Sequence, residues 1–325
     1  MAFHLFTRLL SAATLFLILA GALVTSTGSG LSVPDWPTSY GYNMFTFPLH
    51  LMVGGIIFEH GHRLVASTVG FLTIVLAAWL WRRDDRRWMR WFGVAALGVV
   101  ILQGVLGGLT VLMKLPAPIS IGHAGLAQIF FCMMIAVSVF SSKAWAENHA
   151  AVNDPALRRI ALATVVIVYV QIILGATMRH THAGLAIPDF PLAFGRLLPP
   201  LWTEQIAIHF AHRAGAAAAT VMIAWLIAHV LRHHAHNVWL VRPAVLLGVL
   251  LVLQVTLGAF VIWTARDIYV NSLHVMTGAL VLATTLVVTL RAHRVLFSRR
   301  AVGSAAGAPS GVNLGWNPAT GRPRG

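Results

Sequence analysis

Glu59-His60-Gly61-His62-Arg63 and His209-Phe210-Ala211-His212-Arg213 are the two stretches on which the fold turns. Each sets a His-Arg pair early in an apolar run long enough to cross a bilayer. A second histidine follows each pair at nearly the same interval, His123 at 61 residues from His62 and His274 at 62 from His212. An ionisable side chain inside a membrane helix is costly and needs a partner. Four of them in a repeated pattern imply two similar halves, each with its own polar centre.

The rest of the chain agrees. Its 325 residues are 58% hydrophobic and 10% charged, with mean hydropathy +0.79. A soluble fold needs more polar surface than that, so the expected class is an all-α polytopic membrane protein. Eight apolar runs reach the roughly 20 residues a bilayer requires, near 8–28, 55–81, 92–113, 121–141, 160–178, 205–230, 243–264 and 272–290. With both termini in the cytoplasm, seventeen Lys and Arg lie inside and four (Lys114, Arg179, Arg196, Arg266) outside. That is the positive-inside pattern, and it accounts for the formal charge of +14 without nucleic acid. Cys132 is the single cysteine, which excludes an internal disulfide and Cys-based metal clusters.

Gly30-Leu31-Ser32-Val33-Pro34-Asp35-Trp36-Pro37 matches Gly184-Leu185-Ala186-Ile187-Pro188-Asp189-Phe190-Pro191, and Gln103 with Gly107 matches Gln254 with Gly258. Four spans per half give both halves the same polarity, hence a pseudo-two-fold axis along the membrane normal. The expected architecture is eight transmembrane helices as two pseudo-symmetric four-helix bundles: 1–142, a cytoplasmic linker at 143–159, a second bundle at 160–292, and a largely disordered cytoplasmic tail at 293–325. Asp35 and Asp189, between prolines, read as turn-fixing residues. The small-residue run from Gly104 to Gly108 reads as a close-packing surface of the third span.

In this topology His62, His123, His212 and His274 all fall in the outer half of the membrane, at equal depth. Two imidazoles at one depth suit the two faces of a haem iron; zinc would need more donors than two. Arg63 and Arg213 are candidate propionate contacts, with snorkelling to the interface as the alternative. Glu59, three residues before His62, lies on the same helix face, and its counterpart is His209. One site thus has a carboxylate beside it for acid–base work and the other has none, unless Glu59 simply pairs with Arg63. His60 points away from His62 and is no ligand; His180 and His182 read as exposed, and His229, His233, His234, His236 and His293 as surface residues.

These residues resemble the haem A synthase family of bacterial and mitochondrial membranes over about residues 8–292. The resemblance rests on Pro34 to Pro37, Glu59 with His62-Arg63, Gln103 to Gly108, Gly122-His123-Ala124, Gly184 to Pro191, His212-Arg213 and His274. It implies oxidation of a methyl group of haem O to a formyl group by two hydroxylations and loss of water, giving haem A for terminal oxidases. It implies substrate haem at His62 and His123 with Glu59 as the catalytic carboxylate, and a haem b that relays electrons at His212 and His274. It also implies a bacterial inner-membrane location, haem O synthase upstream, a role in cytochrome oxidase assembly and an electron acceptor of unknown identity. Many bacterial members carry a cysteine pair in the first outer loop; this chain has none and is similar to the cysteine-free branch. A di-haem b-type cytochrome that only passes electrons is the main alternative, and a transporter the second.

Overall fold

The computed structural model describes residues 1–147, 149, 151–306, 316–317 and 322–323, with side chains as far as residue 297. Long helices dominate: α1 (Ala2–Ser26), α2 (Gly55–Arg83), α3 (Arg87–Leu112), α4 (Ala117–Phe140), α6 (Pro155–His180), α7 (Glu204–His233), α8 (Val238–Trp263) and α9 (Ile268–Ala306). A single turn, α5 (Lys143–Ala146), lies between the halves. Among the described residues, eight helices are long and apolar enough to cross a membrane. The chain is a multi-pass membrane protein of all-α class.

The helices overrun the apolar segments because hydropathy drops at the first charges, whereas backbone hydrogen bonding does not. Thus α1 starts at Ala2 and α3 at Arg87. Side-chain caps fix several starts: Asp154 accepts the Leu157 amide with Pro155 at the first helical position, Thr203 accepts that of Ile206, and Asn237 that of Trp239. Of the expected tail, α9 takes the part to Ala306, and Trp316–Asn317 pairs with Arg322–Pro323. The rest of that tail lies outside the described residues.

Within each half the helices close into a ring, α1-α2-α3-α4 and α6-α7-α8-α9. Between halves, α1 packs on α9, α6 on α4, and α4 on α9. The first two contacts are equivalents and the third joins counterparts, as a pseudo-two-fold running between α4 and α9 requires. Those two helices are the most buried of the eight. Elsewhere large apolar side chains such as Phe71, Ile74, Ile101, Val170, Val221 and Val252 face outward, as a lipid-facing surface demands.

The halves approach closely at Gly125 of α4, where a Cβ would lie 2.8 Å from Cδ1 of Ile173 on α6. Near the opposite ends of α1 and α9, Ser26 receives hydrogen bonds from Arg179, Asn271 and Ser272. Between them sits an apolar cluster of Phe131, Ala279 and Ala283. The expected duplication reaches the turns. Lys114-Leu115 and Ala265-Arg266 are matching pairs with positive φ (60°, 60° and 50°, 70°), so both α3–α4 and α8–α9 corners store the same backbone strain.

Candidate functional site

The four histidines sit on α2, α4, α7 and α9, so each bundle carries its pair on diagonally opposed helices. Each ring is seated on a glycine of the preceding helix. A Cβ at Gly21 would lie 3.0 Å from Cε1 of His62, at Gly107 3.1 Å from His123, at Gly175 3.0 Å from His212, and at Gly258 3.1 Å from His274. An alanine methyl at any of the four would press on the ring, which would have to give by a few tenths of an ångström, so glycine sets how far each imidazole reaches from its helix. The run from Gly104 to Gly108 therefore serves side chains more than helix packing. Gly107 seats His123, Gly108 seats Trp36 of the first loop, and nothing lies within 4 Å of where a Gly104 Cβ would be.

Three glutamines stand one turn before three of those glycines. Gln103 donates to the carbonyl of His123 at 2.9 Å and lies 3.5 Å from Nε2 of its ring. Gln171 does the same to His212, at 2.9 Å to the carbonyl and 3.1 Å to Nδ1. Gln254 lies 3.3 Å from Nε2 of His274. Gln103 and Gln254 are visible in the repeat; Gln171 was missed, because its counterpart in the first half is not a glutamine.

Glu59, Arg63, His209 and Arg213 have a common task. Both Glu59 oxygens are used: Oε2 accepts the Val33 amide and Oε1 the Arg63 guanidinium, each at 2.8 Å. Arg63 also donates to the carbonyls of Val33, Asp35 and Thr38. In the second half, Nδ1 of His209 accepts the Ile187 amide at 3.2 Å, and Arg213 donates to the carbonyls of Ile187, Asp189 and Leu192. Val33 and Ile187 are equivalent loop residues, so Glu59 and His209 are equivalent anchors. The two arginine forks are spent on loop carbonyls, where a propionate would have to compete with them. His60 joins the clamp by bonding Ser39 at 3.0 Å, with the Phe47 ring 4.7 Å from its own.

The loops held this way share one design. Asp35 accepts the amides of Tyr40 and Gly41 and the Thr38 hydroxyl; Asp189 accepts those of Phe194 and Gly195. Positive φ at Tyr40-Gly41 and at Phe194-Gly195 completes the same turn. Burial works against ionised Asp35, but the Gly41 amide, the Thr38 hydroxyl and the Tyr40 amide outweigh it and hold its carboxyl down at about 2. The turn-fixing reading of both aspartates is what these bonds describe.

Other histidines are less isolated than their sequence positions suggest. His180 ends α6 and is half-buried, not exposed; His182 is exposed. His229 and His234 both reach Oδ2 of Asp154 through Nε2 at 2.8 Å, tying the end of α7 to the start of α6. Burial opposes the Asp154 charge, yet the His229, Leu157 and His234 bonds together depress its carboxyl. No spacing rule could have joined residues 75 and 80 positions apart.

A haem fits what the pairs offer. The Nδ1 atoms of His62, His123 and His274 are buried without a hydrogen-bond partner, and a buried polar atom left so in a folded protein calls for a ligand or water. Among the described residues, Asp154 with His229 and His234 is the only cluster of three His, Cys, Asp or Glu donors, so each diagonal pair supplies two donors and no more. Two imidazoles on diagonal helices and no third donor would suit a haem iron and not a tetrahedral metal.

Comparison with known proteins bears on the same segment. The profile of the COX15-CtaA family, described as cytochrome oxidase assembly protein, matches residues 42–286. A protein of Halalkalibacterium halodurans named Heme A synthase is 27% identical over 283 residues, 86% of this chain and 93% of its own. Proteins of the same name from Geobacillus kaustophilus and Shouchella clausii are each 30% identical, over 81% and 78% of this chain and 82% and 84% of theirs. The four histidines, Glu59, Arg63 and the whole clamp of the second half lie within residues 42–286, and the chain belongs to the COX15-CtaA family of cytochrome oxidase assembly proteins.

Proposed function

We propose that this protein carries out haem A synthesis, oxidising a methyl group of haem O to a formyl group. Haem O is bound as substrate between His62 and His123, and a haem b is held between His212 and His274. The observation that carries this reading is the fourfold seat: an imidazole on a glycine, diagonally paired, once per bundle. The relatives' printed name supplies the substrate class. A haem b in the second bundle would supply one-electron transfer.

The chain's own residues bind, orient and enclose. The glycine seats fix the imidazoles, and the two arginine clamps hold the Pro-Asp-aromatic-Pro loops over the histidine ends of the bundles. The geometry supports a positioning task for Glu59, which ties the first loop through Val33 and Arg63 and stands one turn from His62. The seventeen-to-four bias of Lys and Arg supports a bacterial inner-membrane location with both termini in the cytoplasm and the clamped loops on the far side. The pathway then has a haem O producer before this protein and a terminal oxidase after it.

One observation favours the di-haem cytochrome as a second reading: Glu59 and His209 do equivalent work, which removes part of the asymmetry that argues for chemistry in the first half. Co-expression with a haem O producer, followed by pigment extraction and chromatography, separates the two. Conversion to haem A supports the synthase; two haems b per chain and no new pigment overturn it. Glu59→His, which copies the second half, tests the carboxylate. Haem content kept with conversion lost assigns Glu59 to acid–base chemistry, whereas both kept assigns it to loop anchoring alone.

A further inference from the structure

At the end of the second bundle away from the clamped loops, three side chains from separate parts of the chain converge. Asp154 caps the start of α6, His229 lies near the end of α7, and His234 follows its last residue. Nε2 of each imidazole stands 2.8 Å from Oδ2 of Asp154. Oδ1 is taken by the Leu157 amide, which leaves Oδ2 to face both rings. The three donor atoms, one from each residue, lie within 4.8 Å of one another. The side chains of His229, His234 and Asp154 are 13%, 12% and 17% exposed, covered enough to be held and open enough for a small ion to enter.

The duplication shows that the fold closes this corner without such a cluster. In the register that matches His62 with His212, Trp79 and Asp84 stand where His229 and His234 do. At that corner of the first bundle Trp79 packs on the rings of Phe3 and Phe6, with centroids 5.3 and 5.5 Å away, and Asp84 pairs with Arg86. Apolar packing therefore suffices to join α1 to α2. The two imidazoles aimed at one carboxylate oxygen are an addition peculiar to the second half.

We propose that Asp154, His229 and His234 form a site for a first-row divalent cation of the zinc type, independent of the functional reading above. Two imidazole nitrogens and a carboxylate oxygen are a donor set that zinc takes; calcium and magnesium take oxygen alone. Metal–ligand distances of about 2.0–2.1 Å in a tetrahedron put neighbouring donors roughly 3.3 Å apart, so each Nε2 must recede from Oδ2 by about half an ångström. That is a small movement for side chains at a helix end. The ion replaces the two shared hydrogen bonds. Each neutral ring then carries its proton on Nδ1 and turns the Nε2 lone pair inward, and the carboxylate faces the cation instead of two N–H groups. Water completes the fourth position. An ion held there clasps the start of α6 to the end of α7.

The test uses full-length protein purified in detergent without a histidine tag, stripped with a chelator and titrated with zinc chloride. Zinc per chain is read by mass spectrometry after gel filtration, and affinity by calorimetry. One zinc per chain is expected, with a thermal midpoint that rises as zinc is added. Asp154→Asn keeps the helix cap and removes the charge; it and His234→Gln should each weaken binding at least about ten-fold. His233→Ala with His236→Ala, which removes two exposed imidazoles outside the cluster, should leave the affinity unchanged. No zinc above background, zinc whose affinity Asp154→Asn and His234→Gln leave intact, or zinc lost with His233 and His236 instead overturns the site and leaves a hydrogen-bonded corner only. His234 lies beyond the end of α7, so His234→Gln decides alone should Asp154→Asn not fold.

Discussion

Gly175→Ala is the sharpest test of the seats, because its sign runs against helix propensity. In the interior of a helix, alanine is better than glycine by about 1 kcal/mol, and at Gly104, where nothing lies within 4 Å, Gly104→Ala should keep that gain. At Gly175 the new methyl would stand 3.0 Å from Cε1 of His212 and 3.4 Å from Nδ1. Carbon atoms prefer about 3.5–4.0 Å, so the ring or α6 must give by a few tenths of an ångström. Overpacking of that kind costs about 1–3 kcal/mol. The shift is aimed at an imidazole whose reach decides whether iron is bound, so the cost falls on haem retention. The propensity gain is common to the free and haem-bound protein, so at 1.4 kcal/mol per decade retention in the second bundle should fall at least about five-fold. Haem per chain by pyridine haemochrome after gel filtration reads this directly, with Gly104→Ala as the matched control. Equal haem content in the two variants, with both folded, would refute the glycine seats as determinants of ligand geometry.

The loop clamps make three further predictions. Arg63→Met removes a fork serving Glu59 and three carbonyls and leaves the buried carboxylate uncompensated, which should cost about 3–5 kcal/mol; thermal melting followed by circular dichroism measures it. Gly108→Ala would put a methyl 2.5 Å from Cδ2 of Trp36 and should displace the indole, shifting its fluorescence, whereas Ala259→Gly at the equivalent place in α8 should not disturb its loop. The Asp35 carboxyl, held at about 2 against an ordinary 3.8, stabilises its turn fully above pH 4 and loses that contribution as pH falls toward 2. Proteolysis of the 27–54 loop in intact membranes should therefore accelerate only at the acid end, and Asp35→Asn should remove that pH dependence.

The fold was legible because membrane burial forces a length and a composition on each helix, and the duplication repeated the message. The four histidines stood out for the same reason, as polar groups where polar groups are costly. What stayed hidden depends on which way a side chain turns. Glu59 and Arg63 sit at i,i+4, and that spacing shows they can meet; it does not show that both then reach across to Val33, Asp35 and Thr38. The arginines looked like propionate partners because a charge at the end of a span needs an anion, whereas here carbonyls supply the acceptors. Gln171 escaped because a search for matching residues cannot find a residue whose match has changed.

That last point bears on how one scaffold came to hold two different sites. Where the halves differ inside the loop clamps, each change keeps its function: Glu59 and His209 both accept a loop amide, and Trp36 over Gly108 has as sequence counterparts the smaller Phe190 and the larger Ala259. Such exchanges conserve volume or hydrogen bonding and leave the frame alone. Leu17 with Val65 against Gln171 with Gly215 conserves neither, since Val65 carries an isopropyl group where Gly215 has no side chain, and this exchange lies beside an imidazole.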